Sequence, residues 1–381
     1  MSTLTPREAA LIANGVYELQ DQDIASVRTG IGCEGLFSVQ GSSRFVGTSG
    51  VVFRSETGFG YLAEGEGRFR GDVLIALRGT ATLADGLTDA NIGVKTGPSG
   101  TLVHAGFADT WNSFSAAVAA YLRGRNPSRV HCVGHSLGGA LAMLAGDYFS
   151  ARELPVDIYT FGCPRVGSLP FAESLTRRIG EDSFHRVSHV ADPVPMIPVF
   201  PFLHAPLTGN VLTIGGGGFG APIAFSAHSM LTSYAAGVGF RSWDALGRPA
   251  QVFTEQDVEN WMAATAAGDR IVVGSAWAFR TIGMVLNWIF RQALQMSLIL
   301  PSAAVSLSFT MLDRIAWALQ QVARVSVQLS NYVSAAIRAI FRFLGHQVDS
   351  ARELTAEFLR WALGMLLNRV GGLALGALRR L

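Results

Sequence analysis

Two patterns of hydrophobic and polar positions follow one another along the chain. In the first part, short apolar runs typical of buried strands alternate with stretches of helical spacing. Strand-like runs lie within 33–80 and at 129–134, 156–162 and 184–190, and helix-like stretches lie at 1–25, 107–124 and 137–150. Strands that alternate with helices predict an α/β fold, with a mostly parallel sheet covered by helices.

The second pattern begins beyond residue 270. Polar residues there recur at intervals of three, four and seven, as at Arg280 and Asn287. This spacing predicts helices with one narrow polar stripe and a wide apolar face. The uncharged run 292–312 is long enough to span a membrane, but its two glutamines and Pro301 make a spanning helix the weaker interpretation.

We therefore predict three segments: residues 1–245 as the α/β body, 246–270 as a linker with a short helix capped by Thr254, and 271–381 as an all-α region. The net charge of +2 conceals an asymmetry, since residues 271–381 carry eleven arginines and only four acidic residues. A basic, apolar region behind an acidic body indicates an anionic surface as partner. The apolar faces would be covered either by a membrane interface or by protein, in a helical bundle or a dimer interface, and periodicity does not distinguish these.

Composition and termini narrow the class of protein further. With 49% hydrophobic and 15% charged residues, the chain is expected to be globular and well cored. Cys33, Cys132 and Cys163 have no metal spacing, which indicates free thiols in a reducing compartment. The first twenty residues predict a helix capped by Thr5 and lack the build of a cleavable signal peptide. We therefore expect synthesis in the cytoplasm, followed by peripheral membrane association or export by a signal-independent route.

Ser136 lies in "VHCVGHSLGGALAMLAG" (130–146), between an apolar run and a helical pattern. Gly134 and Gly138, two positions before and after it, permit the strained strand-to-helix turn that exposes a nucleophilic hydroxyl. The N-terminus of the following helix would stabilise negative charge on a substrate oxygen. The same five-residue pattern also arises by chance in a glycine-rich chain, and Ser136 would then be a turn residue.

A serine nucleophile requires a histidine base and a carboxylate that orients it. In α/β enzymes with such a turn, the acid precedes the histidine along the chain. Asp192, in "HVADPVPMIP", follows the predicted strand 184–190, although Asp-Pro is also a common turn. Among the later histidines, His228 in "FSAHSMLTSY" is the preferred base, whereas His204 is expected to pack in a loop and His346 to be exposed.

Five stretches together resemble the class 3 lipases, the fungal-type triacylglycerol lipase family. They are "VGHSLGGALA", "TFGCPRVG", "DPVPMIP", "VHAGF" and "HSMLTSY", within roughly residues 40–240. The resemblance implies an α/β-hydrolase fold for the body and a catalytic triad of Ser136, Asp192 and His228. The chain looks like a bacterial member of the family that has gained an apolar helical C-terminal region.

The resemblance also suggests how the reaction would be assisted. It implies an oxyanion hole formed by Thr80, which follows Arg78-Gly79, and by Leu137. It further implies a lid after the preceding strand, for which residues 81–95 are the candidate. No metal and no cofactor is required for this chemistry.

These features predict a serine hydrolase that cleaves carboxylic ester bonds of lipids. An arginine-rich interfacial region favours anionic bilayers, so phospholipids, cleaved by an A-type phospholipase activity, are preferred over triglycerides. One alternative is a lipase-like toxin or effector whose helical tail itself inserts in membranes, and another is a soluble carboxylesterase with an oligomerising tail. The expected partners are a lipid or phospholipid substrate, a membrane surface and a protective or chaperone protein, but no nucleic acid.

Overall fold

The structure is a computed structural model, and it describes residues 2–20, 35–39, 44–49, 55–79, 93–198, 202–207, 211–216, 222–247, 256, 260–261, 274–295, 310–347 and 353–379. Within these residues an eight-stranded sheet has the order β1-β3-β4-β7-β8-β9-β10, with β2 paired to β3. The strands are β1 (Phe37–Ser38), β2 (Arg44–Ser49), β3 (Ser55–Gly65), β4 (Val73–Leu77), β7 (Val130–His135), β8 (Val156–Phe161), β9 (Phe184–His189) and β10 (Val211–Ile214). A separate hairpin is formed by β5 (Val94–Thr96) and β6 (Leu102–His104).

The centre of the sheet is parallel, as the alternating pattern predicts. Strands β4, β7, β8, β9 and β10 pair in parallel, while β1, β2 and β3 add an antiparallel edge. Every residue of β4, β7 and β8 is buried, because helices cover both faces of the sheet. The carboxyl ends of β7 and β9 lie at the same edge, so the residues that follow these strands can meet.

Among the residues that the structure describes, four helices flank the sheet: α1 (Pro6–Gly15), α2 (Ala105–Leu122), α3 (Leu137–Ser150) and α4 (Leu169–Ile179). Successive residues of β7 belong to different core clusters, since Cys132 packs with α2 and α3 while Val133 packs with α1. Helix α1 begins with the predicted capping box of Thr5 and Glu8. It ends at Gly15 and continues as a 3-10 helix, Val16–Gln20, so the helix is shorter than the predicted 1–25.

The described part of the C-terminal region contains four further helices: α5 (Ala276–Gln295), α6 (Met311–Val325), α7 (Val327–Phe343) and α8 (Ala356–Leu378). Helix α6 packs against both α7 and α8, and α5 packs against α7. Their apolar faces are buried within protein, and residues such as Ile282, Val333 and Leu359 join the same hydrophobic cluster as Trp111 of the body. The sequence allows either a membrane or protein to cover these apolar faces. In the described residues, they are covered by protein.

One helix in the described part of the chain, α8, is long and apolar enough to cross a membrane, with 23 residues and a mean hydropathy of 1.3. Its most apolar window is 44% buried against the rest of the protein. Most of the run 292–312 lies outside the described residues, as do Cys33 and Thr254. Cys132 and Cys163 are free and buried thiols, and burial raises the pKa of both.

Candidate active site

Ser136 stands at the turn between β7 and α3 in a strained backbone conformation. Its φ of 57° and ψ of −128° lie where a residue with a side chain is rarely found, as in a nucleophile elbow. The turn requires its two glycines, because a Cβ atom on Gly134 would lie 2.1 Å from the carbonyl oxygen of Gly138. A Cβ atom on Gly138 would lie 2.1 Å from the carbonyl oxygen of Leu77 in β4.

The structure brings Ser136, His228 and Asp192 into one hydrogen-bonded chain. Oγ of Ser136 lies 2.8 Å from Nε2 of His228, and Nδ1 of His228 lies 2.7 Å from Oδ2 of Asp192. All three side chains are at most 1% exposed. This is the order and spacing that a hydroxyl nucleophile, an imidazole base and an orienting carboxylate require.

His228 lies between two short helical segments. His228 ends a 3-10 helix, Phe225–His228, and a π-helical segment, Met230–Ala235, follows it. Between them the Ser229 side chain accepts a hydrogen bond from the Thr232 backbone N–H at 3.2 Å, which caps the new segment. His228 is therefore fixed at a junction between two helical turns, and its ring is held inside the protein.

Asp192 is held by two donors besides His228. Oδ1 accepts the backbone N–H of Val194 at 2.9 Å, and Oδ2 accepts the hydroxyl of Tyr234 at 2.6 Å. Burial, together with the nearby Asp192, raises the pKa of Tyr234, so that its hydroxyl stays protonated. The motif "HSMLTSY" contains Tyr234, but its contact with Asp192 spans 42 residues and was not predicted.

A second histidine, His135, lies directly behind the elbow. Its Nε2 is 2.9 Å from the carbonyl oxygen of His228, and its Nδ1 is 2.7 Å from the hydroxyl of Tyr17. Burial and the proximity of His228 lower the pKa of His135 well below 6.5, so the ring is neutral. Since a carbonyl only accepts, Nε2 carries the proton and Nδ1 accepts from Tyr17. The sequence showed no signal for this role.

Of the two predicted oxyanion-hole residues, the structure describes Leu137 but not Thr80. Leu137 directly follows Ser136 as the first residue of α3, so its backbone N–H has no partner within the helix. Thr80 lies outside the described residues, but Gly79 before it runs beside the elbow, where a Cβ atom would be 3.0 Å from Cβ of Ser136. Residues 81–92 of the predicted lid also lie outside them, and the end of that segment instead enters strand β5 at Val94.

The other two candidate histidines are not brought into this chain. Nε2 of His204 donates to the carbonyl oxygen of Pro195 at 2.8 Å, and burial lowers its pKa well below 6.5. The sequence predicted a histidine packed in a loop at this position. His346 follows α7 and is exposed.

The chain is similar in sequence to known lipases. The sequence model of the family described as Lipase (class 3) matches residues 74–202. The secreted mono- and diacylglycerol lipase 1 of Fusarium solani is 37% identical over 164 residues, which are 41% of this chain and 48% of that protein. A lipase of Rhizomucor miehei is 33% identical over 153 residues, 36% of this chain and 42% of that protein. This chain thus spans less than half the length of these curated relatives.

Solved structures of lipases also resemble the chain. The lipase of Rhizopus microsporus var. chinensis aligns with a TM-score of 0.42 and 26% identity, over 55% of this chain and 74% of that one. The nonglycosylated LIP2 lipase of Yarrowia lipolytica aligns with a TM-score of 0.44 and 22% identity, over 55% and 79% of the two chains. The family match confirms the expected resemblance to class 3 lipases over residues 74–202, and the mostly parallel, helix-covered sheet confirms the expected fold class.

The predicted localisation is wrong. Relatives from Fusarium solani and Malassezia globosa are named as secreted lipases, which points to export. This contradicts cytoplasmic synthesis without a signal peptide, followed by membrane association or a signal-independent route. The prediction rested on the helical pattern near Thr5, and that pattern describes helix α1, a folded element that carries no information about the export route.

Proposed function

We propose that this chain is a serine hydrolase that cleaves carboxylic ester bonds of lipids, because the class 3 lipase family model matches residues 74–202. The observation that carries the proposal is the chain of short contacts from Ser136 through His228 to Asp192, with Ser136 at a strained elbow. Ser136 is the nucleophile, His228 the base and Asp192 the residue that orients the base.

The contacts assign the protons in the resting site. Oδ2 of Asp192 only accepts, so Nδ1 of His228 carries the ring proton and donates to it. Nε2 therefore presents a lone pair to the Ser136 hydroxyl and can take its proton as the oxygen attacks an ester carbonyl. His228 then returns that proton to the leaving alcohol, and water releases the acyl group by the same steps.

Negative charge on the substrate oxygen would be stabilised at the N-terminus of α3. The Leu137 N–H and the positive end of the helix dipole lie directly after Ser136. Thr80 is the proposed second donor, on the strength of its position after Gly79, which contacts the elbow. No step in this scheme calls for a metal or a cofactor.

Acylglycerols are the substrate class we propose first. Relatives from Fusarium solani and Malassezia globosa are named mono- and diacylglycerol lipases. The competing phospholipase A assignment, with a membrane surface as partner, rests on the eleven arginines of residues 271–381. That argument is weaker once the apolar faces of α5 to α8 are seen to pack within the protein.

Fatty-acid release from two substrates tests the proposal. Emulsified diacylglycerol and phosphatidylglycerol vesicles would be offered to the full chain, to Ser136→Ala and to Ser115→Ala, a control on α2. We expect the full chain and the control to release acyl chains from diacylglycerol and Ser136→Ala to release none. Faster release from the vesicles would favour the phospholipase assignment, and release by Ser136→Ala would refute the triad.

One observation favours a second function, in which the tail inserts in membranes. Helix α8 has the length and hydropathy of a spanning segment. Dye leakage from vesicles caused by Ser136→Ala, in which ester hydrolysis is expected to be absent, would support this effector-like activity. A protective partner would then be needed in the producing cell. Vesicles that do not leak would contradict both membrane insertion by the tail and the need for such a partner.

A further inference from the structure

The carbonyl oxygen of His189 accepts two hydrogen bonds from different parts of the chain. The backbone N–H of Asp192 donates to it at 3.1 Å and closes the turn that carries the carboxylate. Nη2 of Arg280 donates to the same oxygen at 3.0 Å. Arg280 lies in α5, so the C-terminal helical region reaches the turn that presents Asp192.

The same helix also contacts the segment that leads to His228. Ser275, directly before α5, forms an antiparallel bridge with Pro222, six residues before His228. The Ser275 side chain accepts the Ala278 N–H at 3.1 Å, which fixes the start of the helix at this bridge. Helix α5 also packs on the turn Val194–Met196, just after Asp192. Helix α5 thus contacts both the loop that carries Asp192 and the segment that leads to His228.

Arg280 also places positive charge beside a buried carboxylate. Asp192 is fully buried, and a carboxylate in that position is costly unless donors and cations compensate for lost water. Burial lowers the pKa of Arg280 while Tyr234 and Asp192 raise it, and a guanidinium stays charged throughout the physiological range. Among the described residues, the other titratable groups whose charge interacts with Arg280 are Arg186, His189 and His204.

We propose that Arg280 is a positioning residue for ester hydrolysis, and that α5 is a structural part of the active site. By holding the His189 carbonyl, it fixes the turn that aims Asp192 at His228, without itself touching the substrate. The inference rests on the proposed function. Arg280 is the residue of the α5 polar stripe for which the structure describes a contact with the Asp192 turn.

Steady-state hydrolysis of soluble p-nitrophenyl butyrate by the full chain tests the proposal. The variants are Arg280→Gln, which removes the charge at similar length, and Arg280→Lys, which retains it. Arg369→Gln on α8 is the matched control, because Arg369 is an exposed arginine of the same region. Titration with a fluorophosphonate counts reactive serines in each preparation, and a thermal melt confirms folding.

We expect Arg280→Gln to lower kcat per titrated site by about 10- to 100-fold with KM within about twofold, since small misplacements near the reacting groups cost up to about 100-fold. Arg280→Lys should fall only about two- to fivefold, and Arg369→Gln should match the native chain. A folded Arg280→Gln with native kcat would overturn the proposal, as would equal losses in both Arg280 variants that follow their loss of stability.

The same variants distinguish a folding defect, a failure of the proposed function and a failure of the inference about Arg280. If Arg280→Gln does not fold, Arg280→Lys decides: a reduced kcat with unchanged KM supports the role, and a native kcat refutes it. If the native chain and Ser136→Ala hydrolyse the ester equally, the proposed function itself has failed. If only Ser136→Ala is inactive and every Arg280 variant has native kcat, the inference about Arg280 alone has failed.

Discussion

The hydroxyl of Tyr234 donates to Oδ2 of Asp192 at 2.6 Å, on the same carboxylate oxygen that faces His228. The Tyr234 oxygen in turn accepts the backbone N–H of His189 at 3.1 Å. Tyr234 is fully buried, so water cannot replace either contact. The tyrosine therefore links the end of β9, the acid and the π-helical segment after His228.

Removing this hydroxyl should weaken both stability and catalysis. In Tyr234→Phe, the His189 N–H and the carboxylate of Asp192 each lose a buried partner, at a cost of about 1–3 kcal/mol in the free energy of unfolding. We expect kcat to fall by about tenfold because Asp192 is less firmly oriented. Urea unfolding and ester hydrolysis measure the two effects.

Tyr148→Phe is the matched control for this prediction. The described side-chain contacts of Tyr148 are made by its ring, with the Arg152 guanidinium at 3.5 Å and with the rings of Trp111 and Phe149, so loss of its hydroxyl should change little. A Tyr234→Phe protein with the stability and kcat of that control would contradict the assigned role.

The elbow glycines should tolerate no side chain. In Gly138→Ala the new Cβ would meet the backbone of β4 at Leu77, and helix α3 would have to move away from the sheet. We expect a loss of about 3 kcal/mol or more in the free energy of unfolding, together with loss of activity. Gly372→Ala on α8 meets no atom within 4 Å and should instead stabilise by about 0.5–1 kcal/mol. Equal urea midpoints for the two variants would show that the elbow is not tightly packed.

Stability should decline in mild acid because several histidines are buried and neutral. His185 stacks between Tyr159 and Trp243, and burial, with a smaller contribution from His131, lowers its pKa to about 4. Between that value and the ordinary 6.5 the unfolded chain binds more protons, so the free energy of unfolding rises with pH over this range.

The expected loss from His185 alone is roughly 3 kcal/mol as pH falls from 6.5 to 4. His135 and His204 act in the same direction, since burial also lowers their pKa. Urea unfolding at several pH values should show a shallower pH dependence in His185→Phe, which keeps the ring stack, and no change in His346→Gln. An unchanged slope in His185→Phe would contradict this account.

Much of the sheet could be predicted because its strands are buried on both faces and read as continuous apolar runs. Strand β8 begins and ends within one residue of the predicted 156–162. The elbow could be predicted as well, since Gly134 and Gly138 are dictated by contacts within one short stretch. Sequence patterns therefore predict features that are determined by contacts between neighbouring residues.

The features of the site that could not be predicted depend on contacts between segments far apart in the sequence. Periodicity placed Arg280 on a polar stripe, but it could not show that this side chain faces the turn at His189, 91 residues away. Likewise, no local sequence pattern indicates the hydrogen bond between His135 and Tyr17, which lies 118 residues earlier. The apolar faces of α5 to α8 were recognised correctly, whereas their burial against the body follows from tertiary packing alone.

The identity of the nucleophile is the central claim, and covalent labelling tests it most directly. The full chain would be treated with a fluorophosphonate, digested and analysed by mass spectrometry, beside Ser136→Ala and Ser115→Ala. We predict one adduct on Ser136, retained in Ser115→Ala and absent from Ser136→Ala, whose kcat for ester hydrolysis falls by at least about 10⁴-fold. An adduct on another serine, or native hydrolysis by Ser136→Ala, would contradict the account.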